Sequence, residues 1–216
     1  IGTVFLDLKQ YNNAIDPLKQ AVRLSLDFKE AHYELGKAYN HLKQYQNAIE
    51  PLNQAIRIDS QYAPAYLALG LANTKLGQYN QAISNLNKAV ILNPDLLEAH
   101  SPLGLSLMKM GQFEEAVVSL SKTKPEDPNY PDDQSNLGRV FWKLKQYPKA
   151  ITALNESIKV RPDSTTPYIN LGSIYTTLGN NLQAIHYFKE AIENNPKNSE
   201  ARYNLGLLYD TVGRHQ

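Results

Sequence analysis

The feature that most constrains this 216-residue chain is a glycine that recurs every 34 residues. The seven glycines in this register are Gly2, Gly36, Gly70, Gly104, Gly138, Gly172 and Gly206. An alanine follows twelve residues after each of the first six, and the residue before each glycine is leucine in every copy except Ile1. Three positions held in phase over so many periods are typical of an array of structural repeats. We therefore expect a repeat fold whose function lies on an extended surface rather than in a catalytic pocket.

Within each period the sequence predicts two helices joined by a short turn. In the repeat 63–96, Pro64 suits the first turn of a helix, and Gly77 marks the end of that helix. The short connection to the second helix predicts an antiparallel pair. Because Gly70 and Ala82 are small, we expect them to face each other where the two helices approach closely.

These residues resemble the tetratricopeptide repeat over the whole chain. The matching features are the glycine, the alanine, an aromatic residue three positions after the glycine, and a proline at the end of the second helix. The aromatic residues include Tyr39, Phe141, Tyr175 and Tyr209, and the prolines are Pro94, Pro128, Pro162 and Pro196. The resemblance implies an all-α, right-handed superhelical solenoid of antiparallel helix pairs that serves as a protein-binding scaffold. The chain departs from the family in lacking tryptophan four residues before the glycine.

The register predicts one array of five full repeats with a partial repeat at each end. Its units are 1–28, 29–62, 63–96, 97–130, 131–164, 165–198 and 199–216. Polar capping repeats, which solenoids normally need, are not recognisable at either end, so we expect a piece of a longer protein. We also expect Leu205, Leu208 and Tyr209 to be exposed on the last helix and to favour end-to-end self-association.

The repeat 97–130 breaks the pattern in two places. Pro102 falls inside its first helix, where proline costs about 3 kcal/mol or forces a kink. Its second helix is expected to stop early at Lys124-Pro125. One interpretation is a hinge over residues 123–131, with Tyr130 and Asp132 presented to a partner. The other is a defect that a repeat architecture tolerates.

Composition argues against several classes of function. Lys and Arg number 22 against 21 Asp and Glu, so the basic stripe expected of a nucleic-acid-binding protein is missing. No run of 18 apolar residues could cross a membrane, and without cysteine there are no disulfides, cysteine-zinc sites or catalytic thiols. The five histidines lack partners at metal-ligand spacing. We expect a soluble, non-enzymatic protein without metal or cofactor, and the sequence leaves a cytoplasmic or periplasmic location open.

A row of asparagines follows one face of the first helices. We number each repeat from its first residue, so that Lys29, Pro131 and Thr165 are position 1. Position 6 lies opposite the partner helix, on the side that the resemblance implies lines a concave groove. It is occupied in three consecutive repeats by the asparagine row, Asn136, Asn170 and Asn204. A carboxamide both donates and accepts hydrogen bonds, so the row predicts a site for the backbone of an extended peptide, a use that related repeat proteins make of such rows. The alternative is that asparagine is simply common on an exposed polar face.

Basic and aromatic residues map to the same face. Position 13 carries His41, Lys75, Lys109 and Lys143, and Arg139 lies one turn before Lys143. A basic row favours an acidic partner segment, although lysine late in a helix also complements the helix dipole. Trp142, Tyr33 and Tyr203 also map to this face. Trp142 is either an interface hot spot or a packing residue between adjacent first helices. The lysine and asparagine pair with which chaperone-binding members of the family hold a carboxylate is missing.

Three functions are compatible with the sequence. The leading one is an interaction scaffold that binds an extended or helical peptide in its groove. The second is the targeting arm of a larger enzyme, as in the protein O-glycosyltransferases that also carry asparagine rows. The third is an envelope assembly factor, because the stretch 127–131 resembles the pilotin lipoproteins of type IV pili.

Overall fold

The computed structural model describes residues 2–213, and these residues form helices and turns without any strand. They group into two compact units, Ile1–Gln112 and Phe113–Gln216. The first unit contains α1 (Gly2–Asp7), α2 (Tyr11–Leu24), α3 (Lys29–His41), α4 (Tyr45–Ile58), α5 (Ala63–Lys75), α6 (Tyr79–Leu92), a 3-10 turn (Leu97–Ala99) and α7 (His100–Lys109). The second contains α8 (Phe113–Leu120), α9 (Tyr130–Lys143), α10 (Tyr147–Val160), α11 (Thr165–Thr177), α12 (Asn181–Asn194) and α13 (Ser199–Gly213). Within each unit consecutive helices pack as pairs, which confirms the predicted fold class.

The first helices end in a common left-handed turn at position 15. Its φ angle is 56–58° at the lysines and 73–76° at the glycines; the residues are Lys9, Lys43, Lys145, Gly77, Gly111 and Gly179. The next amide donates to the carbonyl five residues back, for example from Gln146 to Phe141 at 2.8 Å. This pattern is a Schellman cap. Because the same turn recurs between the first and second helices, the chain reverses direction in a similar way in each helix pair.

The repeated glycine faces a large side chain, which differs from the expected glycine–alanine contact. A Cβ atom added to Gly138 would lie 2.4 Å from Cγ of Leu154, and one added to Gly172 would lie 2.5 Å from Cε1 of Phe188. The nearest residue opposite the glycine is therefore at position 24, and the same holds at Gly2, Gly36 and Gly70. The alanine at position 20 is fully buried in the same helix pair, and at Gly138 its backbone is also close, because the added Cβ would lie 3.2 Å from the Ala150 carbonyl oxygen.

Second helices pack on the next first helix through an aliphatic residue at position 28. This residue is Val22, Ile56, Val90, Ile158 or Ile192 in the regular repeats. Ile158 packs against buried clusters that include Tyr168 and Leu171 of α11. In the irregular repeat α8 has eight residues, where α10 has 14, and position 28 is the exposed Lys124.

The irregular repeat accommodates its prolines by changing where helices begin and end. The 3-10 turn precedes α7, so Pro102 is the third residue of the α-helix. Amides in this first turn have no acceptor within the helix, and the expected kink is replaced by a shifted helix start. After α8, Tyr130 donates through its amide to the Asp127 carbonyl at 2.9 Å. Whether the segment 123–131 is a hinge stays a prediction.

An ion pair joins the beginning and end of the same repeat in two places. Lys29 at the start of α3 donates to Asp59 after α4 at 2.6 Å, and this bond holds the pKa of Asp59 below its usual value. Asp132 in α9 accepts two bonds of 2.9 Å from Arg161 after α10. Arg161 also donates to the Pro128 carbonyl at 3.1 Å. The carboxylate of Asp132 therefore has an ion-pair partner within its own repeat, and its presentation to a partner protein stays a prediction.

Candidate functional site

The structure places the asparagine row on three first helices of the second unit. Asn136 lies on α9, Asn170 on α11 and Asn204 on α13, and α11 packs against both of the other helices. All three side chains are half-buried. Position 6 thus presents the same polar group on neighbouring helices, as the register predicts.

The amide group of Asn170 has spare hydrogen-bonding capacity. Its Nδ2 atom is buried and has no hydrogen-bond partner. By contrast, Nδ2 of Asn40, on the first helix α3 of the other unit, donates to the Ala68 carbonyl at 2.8 Å. An unsatisfied buried donor costs about 1–3 kcal/mol. Turning the Asn170 amide towards an incoming acceptor would therefore break no internal bond from Nδ2.

Two groups near the row were not found from the sequence. Ser135 precedes Asn136 on α9 and is 6% exposed, and its Oγ atom also has no hydrogen-bond partner. Asn204 lines a cavity of about 270 Å³ together with Ser173 and Leu207. Position 5 is serine in only two repeats, at Ser101 and Ser135, and position 9 is serine only at Ser173, so periodicity gave little signal for them. Both add polar atoms beside the row.

The cations beside the row are exposed. Arg139 and Lys143 are on the last two turns of α9, and neither forms an ion pair within residues 2–213. Lys75 and Lys109 are likewise exposed, but they lie in the first unit, at the last residues of α5 and α7. All three lysines end their helices, where they also complement the helix dipole.

His41 differs from the rest of the predicted basic row. Its ring stacks on Tyr11 with centroids 4.3 Å apart. Burial, with the nearby charge of Lys37, lowers the pKa of His41. Position 13 therefore supplies a neutral ring in α3 at pH 7, and the basic row reduces to its lysines.

The aromatic candidates fall into two groups. Trp142 is half-buried and packs against a cluster that includes Leu171 of α11, which supports the packing interpretation. Tyr33 packs edge-on against Tyr62 with centroids 5.3 Å apart, and burial raises its pKa to about 12. Tyr203 is 70% exposed on α13 and is the aromatic side chain of the three that a partner could reach most fully.

Residues 2–213 contain no group of three His, Cys, Asp or Glu side chains placed to hold a metal ion. None of the described helices combines the length and the apolar character needed to cross a bilayer.

The structure is that of a helical repeat protein, in which consecutive helices pack as pairs. The asparagine row and the cations beside it lie on the first helices of these pairs. The chain belongs to the tetratricopeptide repeat family. Models described as tetratricopeptide repeat match residues 1–63, 134–197 and 187–216, and a TPR repeat model matches 72–111. The family consists typically of non-catalytic scaffolds, and its fold supports protein–protein interaction.

Solved structures show the same fold. YrrB, described as a TPR protein with an unusual peptide-binding site, is 18% identical with a TM-score of 0.75, and the match covers 86% of this chain and 96% of YrrB. For MamA the values are 25% identity, a TM-score of 0.70, and coverage of 80% and 94%. For PilF of Pseudomonas aeruginosa they are 20%, 0.69, 86% and 84%. A comparison with curated proteins gave no significant match.

Proposed function

We propose that the second unit binds an extended peptide carrying acidic residues along the first-helix face of α9, α11 and α13. The asparagine row would hydrogen-bond the peptide backbone, and Arg139 and Lys143 would pair with its carboxylates. The observation that carries the proposal is the buried, unpartnered Nδ2 of Asn170 in the middle of the row. A peptide carbonyl would give this donor the acceptor that it lacks.

Charge supports an acidic partner. Arg139 and Lys143 are exposed and free of ion pairs in the described structure, so pairing with a peptide would not break an internal bridge. Such contacts act at short range and weaken with salt, because the screening length is about 8 Å at physiological ionic strength. Backbone hydrogen bonds to asparagine involve no net charge and should respond little to salt. The salt dependence of binding therefore distinguishes the charged contacts of Arg139 and Lys143 from the hydrogen bonds of the asparagine row.

The test begins with peptides selected from a random library on the 216-residue chain. Binding is then titrated against Arg139→Ala and Asn170→Ala at low and high salt. Charged hydrogen bonds contribute roughly 1.5–3 kcal/mol and neutral ones about 1 kcal/mol. We expect Arg139→Ala to weaken binding more at low salt, with an effect that shrinks as salt rises, and Asn170→Ala to weaken it about equally at both.

Matched controls are available on second helices. Arg57→Ala and Asn155→Ala remove the same side chains from exposed positions of α4 and α10, and both should leave affinity unchanged. Wild-type affinity in both Arg139→Ala and Asn170→Ala would place the binding surface elsewhere and end the proposal.

The two other functions have no comparable support in these residues. Likeness to YrrB and PilF lies below 25% identity, so it supports the shared fold and not a shared partner. An enzyme-targeting role would use the same face, with chemistry in a separate domain. A pilotin role would instead require a pilus component to compete with the selected peptides.

Self-association is a separate part of the partner prediction. Leu205 and Leu208 were expected to be exposed, but Leu205 is half-buried against the cluster around Phe188, and Leu208 is 4% exposed within it. Leu207 and Tyr209 are about half-exposed on α13 and remain available for such a contact. We propose that these two side chains favour self-association of the 216-residue chain. Sedimentation velocity at rising concentration should show it, and Tyr209→Lys should reduce it; an unchanged monomer at every concentration would contradict it.

A further inference from the structure

A second candidate site lies between α9 and α10, outside the asparagine row. This cavity of about 500 Å³ is lined by nine residues, none of which belongs to the row. Leu137, Phe141 and Ala153 give it an apolar floor. Lys149 and Glu156 stand at its rim, on two different turns of α10. We call it the aliphatic pocket.

In the regular repeats, an aliphatic side chain of the preceding second helix packs near the residues that correspond to Gln134 and Leu137. Ile158, at position 28 of α10, packs against clusters that contain Tyr168 and Leu171, which are positions 4 and 7 of α11. On α9 the residues at positions 4 and 7 are Gln134 and Leu137, and both line the aliphatic pocket.

The preceding second helix does not supply the corresponding side chain. α8 ends at Leu120, and position 28 is Lys124, which is exposed to solvent. A lysine ammonium cannot replace an aliphatic group over an apolar floor without losing its hydration. The irregular repeat therefore leaves open a place that a valine or isoleucine of the preceding second helix takes up in the regular repeats.

Charge around the pocket is uneven. Lys149 is exposed, its Nζ atom lies 5.6 Å from the ring centre of Phe141, and it forms no ion pair with a described residue. Glu156 has Lys159 at 3.6 Å, so its charge is already compensated. The uncompensated charge at the rim is positive, which favours an acidic group in the occupant.

We propose that the aliphatic pocket receives a helical segment of a partner protein. The segment presents a valine or isoleucine to Leu137, in the way that Ile158 packs against the cluster containing Leu171, and an acidic residue to Lys149. This site is independent of the asparagine row. The irregular repeat then has a function, because the early end of α8 leaves the aliphatic pocket open for a helix of the partner protein.

The test uses a synthetic peptide with the sequence of residues 181–194 of this chain. In α12 this segment carries Ile192 at position 28, between Glu190 and Glu193, and so has both features of the proposed occupant. The labelled peptide is titrated with the 216-residue chain by fluorescence anisotropy. Saturable binding below about 1 mM is expected, and replacing Ile192 by lysine in the peptide should weaken it at least about tenfold because the buried apolar contact is lost.

Variants of the chain locate the binding. Thr152→Trp places a large ring in the pocket from an exposed position of α10, and should weaken binding at least about tenfold. Lys149→Glu should weaken it about fivefold at low salt and less at high salt. Lys197→Glu makes the same charge change at an exposed loop residue and should have no effect, and Asn170→Ala should also leave this binding unchanged.

Three results would overturn the proposal. The first is no binding up to about 1 mM, and the second is binding that Thr152→Trp and Lys149→Glu both leave unchanged. The third is concentration-dependent dimerisation of the chain that Thr152→Trp abolishes, because it would identify a second copy as the occupant. Far-UV circular dichroism of each variant shows whether it has folded, and Lys149→Glu, at an exposed site, remains informative if Thr152→Trp has not.

Discussion

Replacing the repeated glycine by alanine should lower the stability of the protein where the glycine contacts the residue at position 24, and raise it where that contact is missing. In Gly138→Ala the new Cβ would lie 2.4 Å from Leu154 Cγ and 3.2 Å from the Ala150 carbonyl oxygen. Carbon atoms in contact normally lie about 3.5–4.0 Å apart. In Gly206→Ala the new Cβ would meet no atom within 4 Å. Both glycines occupy position 8 of a first helix, so alanine should raise helix propensity at both sites. Only at position 138 does the new methyl group meet the second helix.

Alanine in place of glycine in a helix interior stabilises by about 1 kcal/mol. Forcing an extra methyl into a packed core costs about 1–3 kcal/mol, and the upper end applies because Leu154 is fully buried and the contact is to its Cγ rather than to its free end. We expect Gly138→Ala to destabilise by about 2 kcal/mol and Gly206→Ala to stabilise by about 1 kcal/mol.

The assay is urea unfolding followed by far-UV circular dichroism. Because repeat arrays can lose cooperativity along their length, native-state hydrogen exchange should report α9 and α13 separately. Leu154→Ala removes the obstructing side chain, at a cost of about 2–5 kcal/mol. On that background Gly138→Ala should become neutral or stabilising. Two results would contradict this prediction. One is a Gly138→Ala variant as stable as the wild type, and the other is a change in the free energy of unfolding on Gly138→Ala that has the same sign in the wild type and on the Leu154→Ala background.

Three further predictions concern the turns, the loop and one tyrosine. Lys145→Gly should stabilise by about 0.5–1 kcal/mol in urea unfolding, because Lys145 has a φ of 58° where glycine is unstrained, and Gly179→Ala at the same position should destabilise. Limited proteolysis should cut first within 122–133, where prolines remove backbone donors; first cuts only at the two ends would contradict this. Burial raises the pKa of Tyr33 to about 12, so its contribution to stability is complete below pH 10 and is lost as pH rises towards 12. Ring-labelled NMR should show this late titration, and it should disappear in Tyr33→Phe.

The 34-residue register predicted the helices because their period and their breaks depend on local residues. It did not predict which residue faces the glycine, since that depends on how the two helices are offset. It also could not show that Lys145 adopts a glycine-like conformation, because the turn is stabilised by backbone hydrogen bonds rather than by the side chain.

The candidate site was predictable to a similar extent. The shared register placed the asparagine row on neighbouring helices. Single side chains were less predictable, because their environments depend on neighbouring repeats. His41 stacks on Tyr11, Trp142 packs on a cluster formed by residues of α10 and α11, and Asp132 forms an ion pair with Arg161. The aliphatic pocket could have been suspected from Lys124 at position 28, where every other second helix has valine or isoleucine.

The ion pairs that join the two ends of a repeat have opposite polarity. Lys29 is the basic partner at the start of its repeat and Asp59 is the acid at the end, whereas Asp132 is the acid at the start and Arg161 is the base at the end. A whole repeat can therefore be duplicated or exchanged without separating either pair. A crossover inside a repeat would instead set Lys29 against Arg161, or Asp132 against Asp59. Gene rearrangements and engineered chimaeras of this chain are accordingly best joined between repeats, where no such charge is divided from its partner.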